Sequence, residues 1–482
     1  PTGVYAGEGL AASANGRLVR STDLWQLVGE LSMAQGELLT PYFYLNPHEH
    51  PVSLKTRLSA DEAWQHVRIE ESSLLCEGLL NLSAQAGLER DAQRPLQNLL
   101  LEVQPLQAGD IYRELLQPVL FGTAWDRFEL VGGIEWSLSM EGERMNLDIG
   151  LQDFHLDDAD SEGSRKRLGL YGVNGRLHWS RGAEPRPSWL TWQAGHLLEK
   201  IDLGASRVDF EIADDVMRLI EQARLPLLDG ALVIERLEIE ALGDANQKLA
   251  FDGMLTPISM NSLSEALGWP PLAGKLSGVI PGLTYENGVF NIDGVLLASI
   301  FDGDVLIKGL RLQDLFGVYP QLNADIEITG LDLEALTRTF SFGRITGRLD
   351  GHVRGLSLEA WQPVSFDALF YTPEDDESRH RISQKAVDNI SNLGGAGLSG
   401  SLARSFLGMF EEFRYKRIGI GCRLQDHICE MVGVGEAKEG YYLVEGSGIP
   451  RIDIIGYNHT ADWTRLVDQL KQITKSGGPV IQ

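Results

Sequence analysis

Leu272-Ala-Gly-Lys-Leu276-Ser-Gly-Val-Ile-Pro-Gly-Leu283 returns later in the chain as Ile345-Thr-Gly-Arg-Leu349-Asp-Gly-His-Val-Arg-Gly-Leu356. Residues 272, 276 and 283 map onto 345, 349 and 356, a constant offset of 73. Each copy follows an amphipathic patch, Leu263–Leu267 in one and Leu336–Phe340 in the other. A spaced repeat of this kind predicts an array of similar β units rather than one compact enzyme core. The spacing leaves room for a short helix and several strands per unit.

The residues around the repeat carry the strand signal. Leu322, Ala324, Ile326 and Ile328 alternate with Asn323, Asp325, Glu327 and Thr329, and Ile345, Leu349 and Val353 alternate with polar neighbours. Such alternation predicts one apolar and one wet face. The same pattern appears at Leu147, Ile149 and Leu151, and at Val208, Phe210 and Ile212. Gly230–Ala241 reads as a strand whose apolar phase shifts between Ile234 and Leu237, which predicts a bulge. Helices are expected at Asp110–Leu120, stopped near Pro118, and at Asp214–Ala223, with acids in its first turn. Asp23–Leu31 reads as a short helix or strand.

The charged run Pro373–Arg381 predicts a boundary, with a β region over 1–372 and an α+β region over 373–482. Repeat units are expected near 257–330 and 331–372. In the C-terminal region, Ile382–Leu393 and Leu402–Phe413 read as helices around a glycine-rich link. Four short strands and a last amphipathic helix, Asp462–Lys475, follow.

Composition narrows the function classes. With 482 residues, 43% of them hydrophobic, there is ample material for cores. The net charge is −26, which argues against nucleic acid as a partner, because phosphate binding needs clustered Lys and Arg. It also argues against general attraction to anionic membrane surfaces. No apolar run of about 18 residues exists to span a bilayer. The chain begins at Pro1 rather than Met, which predicts a fragment or a processed product.

Three cysteines are present. If Gln425-Asp426 forms a two-residue hairpin turn, Cys422 falls opposite Cys429, near the separation that a disulfide needs. A disulfide implies an oxidising compartment, and two half-buried thiols are the other reading.

Catalytic signatures are weak. Gly397-Leu-Ser-Gly-Ser401 departs from the nucleophile elbow in its last residue and follows a helix rather than a strand. Asp158–Gly163 resembles the start of a calcium loop but has Gly169 where the twelfth ligand belongs. His48 and His50 lie together, yet zinc needs a third ligand from elsewhere. Acid pairs such as Asp375-Asp376 and Glu411-Glu412 read as exposed charge. No phosphate loop or dinucleotide fingerprint stands in a strand-to-helix context, and neither a cofactor nor enzymatic activity is expected.

The repeated phrase, Gly288-Val-Phe-Asn-Ile-Asp-Gly294 and Phe301-Asp-Gly-Asp-Val-Leu-Ile-Lys-Gly309 together resemble the AsmA-like proteins of Gram-negative bacteria. Gly440-Tyr-Tyr-Leu-Val-Glu-Gly446, Pro450–Asn458 and Asp462-Trp463 are most similar to the YdbH-type branch. The resemblance covers about 200–482 and implies a mainly β fold. That fold is an elongated, curved antiparallel sheet groove of repeated units with short helices, plus a smaller α+β C-terminal region. It also implies a periplasmic protein, held in the inner membrane by an N-terminal helix that this chain lacks. The implied role is to move phospholipid toward the outer membrane and so support its lipid balance. Its implied partners are acyl chains and an outer-membrane protein or lipoprotein at the C-terminal end.

The residues agree physically. Exposing a 16-carbon acyl chain to water costs roughly 12 kcal/mol, at about 0.8 kcal/mol per methylene. A continuous apolar channel removes most of that barrier. Its expected lining is Phe290, Ile292, Leu322, Ile326, Ile328, Ile345, Leu349 and Val353. Alternation alone fits a closed sandwich core equally well. A scaffold for outer-membrane protein assembly, pairing through a free sheet edge, is the alternative function.

Overall fold

The computed structural model describes residues 5–21, 24–121, 127–158, 168–197, 200–242, 246–267, 271–286, 288–313, 319–393 and 411–475. It is a mainly β protein with antiparallel pairing almost throughout. Backbone contacts divide it into two compact units. The first comprises Pro1–Leu227 with Glu235–Asp244, and the second Leu228–Ile234 with Ala245–Gln482. The expected boundary at 372/373 falls inside the second unit, because residues on both its sides share one core.

In the first unit the strands are β1 (Ala6–Ser21), β2 (Leu24–Leu39), β3 (Tyr44–Leu45), β4 (Val52–Asp61), β5 (His66–Cys76), β6 (Leu80–Glu89) and β7 (Leu96–Gln107). A helical stretch follows: α1 (Ala108–Ile111), a π-turn (Tyr112–Leu116) and α2 (Gln117–Leu120). It ends at Leu120, two residues past Pro118, as expected. That proline opens the last turn, where its missing N–H costs nothing. Then come β8 (Phe128–Glu141), β9 (Arg144–Asp158), β10 (Leu168–Arg181), β11 (Pro187–Leu197), β12 (Ile201–Ala213), β13 (Val216–Leu219) and β14 (Ala223–Leu227).

The helix expected at Asp214–Ala223 is instead a hairpin. Asp214 and Asp215 have φ of 47° and 67°, and Ala213 pairs with Val216 across them. Two left-handed residues make the turn whose twist suits paired strands, and Asp tolerates that conformation. In β15 (Gly230–Glu240), Val233 and Ile234 are both buried and Glu235 and Arg236 both exposed. The alternation therefore slips where the bulge was expected.

In the second unit, β16 (Lys248–Ser259) leads through α3 (Met260–Leu267) to β17 (Gly274–Glu286), β18 (Val289–Ile300) and β19 (Gly303–Gln313). Next, β20 (Gln321–Asp332) leads through α4 (Leu333–Thr339) to β21 (Ile345–Thr346), β22 (Arg348–Glu359) and β23 (Gln362–Tyr371). The remaining strands used below are β24 (Arg381–Ser383), β25 (Glu412–Gln425), β26 (Ile428–Gly433), β27 (Glu436–Ala437), β28 (Gly440–Ser447), β29 (Ile454–Gly456) and β30 (Thr460–Asp462). Helices α5 (Gln384–Leu393) and α6 (Trp463–Lys475) complete the unit. The expected helix Leu402–Phe413 lies mostly outside the described residues, and its last two positions belong to β25.

The 73-residue offset holds in three dimensions. Ile258 pairs with Leu276 as Leu331 pairs with Leu349. Both strand pairs slip register at equivalent places, between Leu255 and Ile258 in one and Ile328 and Leu331 in the other. Ser259 accepts the amide of Ser262 at 3.2 Å, and Asp332 accepts that of Ala335 at 2.8 Å, so each helix starts on a side-chain cap. Behind the caps, Met260 and Ser264 are buried in α3, and Leu333 and Thr337 in α4.

A further copy stands in the first unit. Leu106 pairs with Ile134 across the helical stretch, the register slips between Val103 and Leu106, and Ala108 and Tyr112 are buried. In all three copies a glycine that no other residue can replace without strain stands two residues before the partner residue of the second strand, Ile134, Leu276 or Leu349. Gly132, Gly274 and Gly347 have φ of 111°, 130° and 135°. A Cβ there would collide with the Asp153 carbonyl, the Ser299 carbonyl and the Tyr415 hydroxyl respectively.

Candidate functional site

The sheet of the first unit carries unbroken apolar rows across its strands. One row runs Leu31–Leu54–Leu74–Leu82, each residue facing the next on β2, β4, β5 and β6. It continues through Val103, Trp136, Ile149 and Leu177 on β7 to β10. A parallel row joins Leu101, Leu138, Leu147 and Trp179. Most of these side chains are only half-buried, shielded by one another. Val52, Cys76 and Leu79 form a small buried cluster in this unit, while other buried side chains, such as Val103, Val173 and Phe210, lie outside it. The opposite face is charged, with Lys55 and Glu30 3.8 Å apart and Arg176 and Glu135 at 2.8 Å.

The second unit repeats the arrangement. Phe290, Leu312, Leu322 and Leu358 form one row. Ile292 faces Leu310 beside it, and Leu296, Ile307, Ile326 and Val353 form the next. Phe290 also packs its ring against Tyr285, with centroids 4.5 Å apart. These residues are half-buried, while Lys308 and Glu327, 2.8 Å apart, mark the polar face.

At one end of this face the rows reach a cavity. Ile328 lies opposite Val305 in the sheet and also lines a cavity of about 430 Å³. Its floor is Ile328, Leu331, Ile345 and Leu349, and α4 contributes Leu333, Leu336 and Phe340. Phe370, Ile390, Ile418, Ile420 and Leu443 complete it. Thr337 is the lone polar side chain, and its hydroxyl is already donated to the Leu333 carbonyl at 2.6 Å. Such a lining holds no water well and favours an apolar guest.

The eight residues expected to line an apolar face thus fall into two environments. Phe290, Ile292, Leu322, Ile326 and Val353 stand half-exposed on the sheet, and Ile328 joins sheet to cavity. Ile345 and Leu349 are 3% and 9% exposed and belong to the large core of the second unit. That core is closed by residues distant in sequence, among them Ile382, Phe413, Leu424 and Ile454.

Cys422 and Cys429 are joined by a disulfide, with Cα atoms 5.4 Å apart. The expected hairpin register is corrected, however. Asp426 and His427, with φ of 50° and 63°, form the turn, so Cys422 faces Met431 and Cys429 faces Leu424. The bridge crosses the strands diagonally. Cys76 is a buried free thiol whose pKa burial pushes up.

Asp376 departs from the expected exposed acid. Its side chain is 3% exposed and accepts from the Arg348 amide at 2.7 Å, the Ser378 hydroxyl at 3.0 Å and His380 at 2.9 Å. Burial alone would raise its pKa, but these donors outweigh it and hold the group at about 2. The imidazole of His380 stacks on the Tyr415 ring, whose hydroxyl donates to the Thr346 carbonyl at 2.5 Å. This cluster anchors β21 and the glycine at 347 rather than facing the cavity.

The serine of Gly397–Ser401 lies outside the described residues, as does the acidic loop after Asp158. Asp158 itself is buried at the end of β9. No helix among the described residues is long and apolar enough to cross a membrane. No family model, curated protein or solved structure matches the chain.

Proposed function

We propose that the chain binds phospholipid acyl chains on its apolar sheet faces and passes them along. In this reading it works as a periplasmic bridge between inner and outer membranes, held in the inner membrane by a segment beyond this chain. The observation that carries the proposal is the apolar sheet face that runs along β20 from Ile326, in its row, to Ile328, which lines the cavity. A half-exposed strip of aliphatic side chains shields a sliding chain without holding it by polar contacts. Each methylene kept from water is worth about 0.8 kcal/mol. The charged opposite face keeps the sheet in solution. No chemistry is required of the chain in this reading.

The test is site-specific photo-crosslinking in cells. A benzophenone amino acid at Phe290 or Ile326 should capture phospholipid, and one at Asn323 or Glu327 should not. Equal capture at all four positions, or none at any, would overturn the proposal.

A second reading has its own support. All sixteen residues of β1 are exposed, and among the described residues β1 pairs only with β2. An unpaired edge is a template for a partner strand, which suits an assembly scaffold for outer-membrane proteins. Crosslinks from β1 to an outer-membrane protein, with no lipid at Phe290, would favour it.

A further inference from the structure

Glu49, His50 and Glu114 converge in the first unit, their ligand atoms all within 4.8 Å of one another. Two separate elements supply them. Glu49 and His50 sit in the tight loop between β3 and β4, and Glu114 sits in the π-turn after β7. The loop is well fixed. The amides of Glu49 and His50 both donate to the Asn46 carbonyl, at 3.2 and 2.9 Å, and Pro47 is fully buried.

The imidazole is oriented for a cation. Its Nδ1 lies 3.0 Å from the Glu77 carbonyl oxygen, which can only accept. Nδ1 is therefore the donor, and in the neutral ring Nε2 carries the lone pair. A backbone carbonyl holding the far nitrogen is the usual support of a metal-bound histidine. Single π-turns inside helices also recur at functional sites, and here the turn brings a carboxylate back toward the loop.

Charge points the same way. Among the described residues, no Lys or Arg pairs with Glu49 or Glu114. Uncompensated negative charge beside a free imidazole lone pair favours a divalent cation.

We propose that Glu49, His50 and Glu114 form a zinc site, completed by water. Imidazole nitrogen excludes calcium and magnesium as preferred ions, and carboxylate with imidazole suits zinc. Ligands on tetrahedral zinc stand roughly 3.4 Å apart, so the site tightens by a small rotation of the exposed Glu49 side chain. The metal clasps the β3–β4 loop to the helical stretch. This site is independent of the lipid reading.

The full chain, stripped with chelator, is titrated with zinc chloride by calorimetry. One equivalent should bind. His50→Ala and Glu114→Gln should each weaken binding at least tenfold, while the exposed His48→Ala leaves it unchanged. Zinc should also raise the unfolding temperature of the native chain and not that of Glu114→Gln, which tests the site in a variant that keeps its shape. The proposal is overturned if the native chain takes up no zinc, or if Glu114→Gln and His50→Ala bind it as tightly as the native chain does.

Discussion

Asp325 accepts a hydrogen bond from the amide of Gly355 at 2.7 Å, and 73 residues earlier Asp252 accepts one from Gly282 at the same distance. Both glycines have positive φ, 57° and 72°, and both sit where the paired strands slip register. The carboxylate thus occupies the amide that each bulge would leave unpaired.

These glycines differ from Gly132, Gly274 and Gly347 in what surrounds them. Nothing lies within 4 Å of a Cβ placed at Gly355, whereas one at Gly274 meets the Ser299 carbonyl. Gly355→Ala should therefore cost about 1–2 kcal/mol, the strain of the left-handed conformation alone. Asp325→Ala should cost about 1 kcal/mol. Gly274→Ala carries strain and collision together and should cost more than either. Urea unfolding midpoints of the three variants check the order.

Acid stability should report Asp376. Its folded pKa of about 2 lies below the ordinary 3.8. A depressed carboxyl contributes stability that is complete above the unfolded value and lost as pH falls through the folded one. The contribution is about 2 kcal/mol, present at pH 5 and fading between pH 4 and pH 2. Asp376→Asn should lower stability at pH 7 by about that amount and flatten the same acid limb. Denaturant titrations at pH 7, 4 and 2.5 make the comparison.

The Cys422–Cys429 bridge closes a short loop, with a sequence separation of seven. Chain entropy gives such a loop about 2.5 kcal/mol. Dithiothreitol should lower stability by about that much and leave the strand content unchanged in circular dichroism. Before reduction, a thiol reagent should label no cysteine in the folded chain, since Cys76 is 3% exposed.

How far the sequence could be read follows from what is local. Alternation at Leu322–Ile328 and the glycine spacing of the repeat are local, and both appear in the strands. The copy at Leu106–Ile134 is hidden in the sequence because its helical stretch is longer. Gln107 to Gly133 spans 26 positions, where Ser259 to Lys275 spans 16, so no constant offset links it to the others. Asp214-Asp215 suits a helix start and a left-handed turn alike, and only the facing strand decides. His50 was visible but its partners were not: Glu114 lies 64 positions away. The same limit applies to Ile345 and Ile326, which obey one alternation. What closes over the first, including Ile382 and Phe413, comes from other elements.

That last contrast yields a paired test. Ile345 is 3% exposed inside the core, so Ile345→Ala should cost about 2–5 kcal/mol, through lost burial and the cavity left behind. Ile326 is half-buried between Ile307 and Val353, so Ile326→Asp loses two cross-strand contacts, each about 0.2–1 kcal/mol. Its fold should survive. If acyl chains run along this face, a carboxylate in the middle row interrupts them, because burying it beside a methylene chain costs far more than the cross-strand loss. Phospholipid recovered per purified chain should then fall several-fold in Ile326→Asp. It should stay near the native level in Glu327→Gln, one residue away on the charged face. Retention of native lipid by a folded Ile326→Asp would mean that the face serves the sheet's own stability and carries nothing.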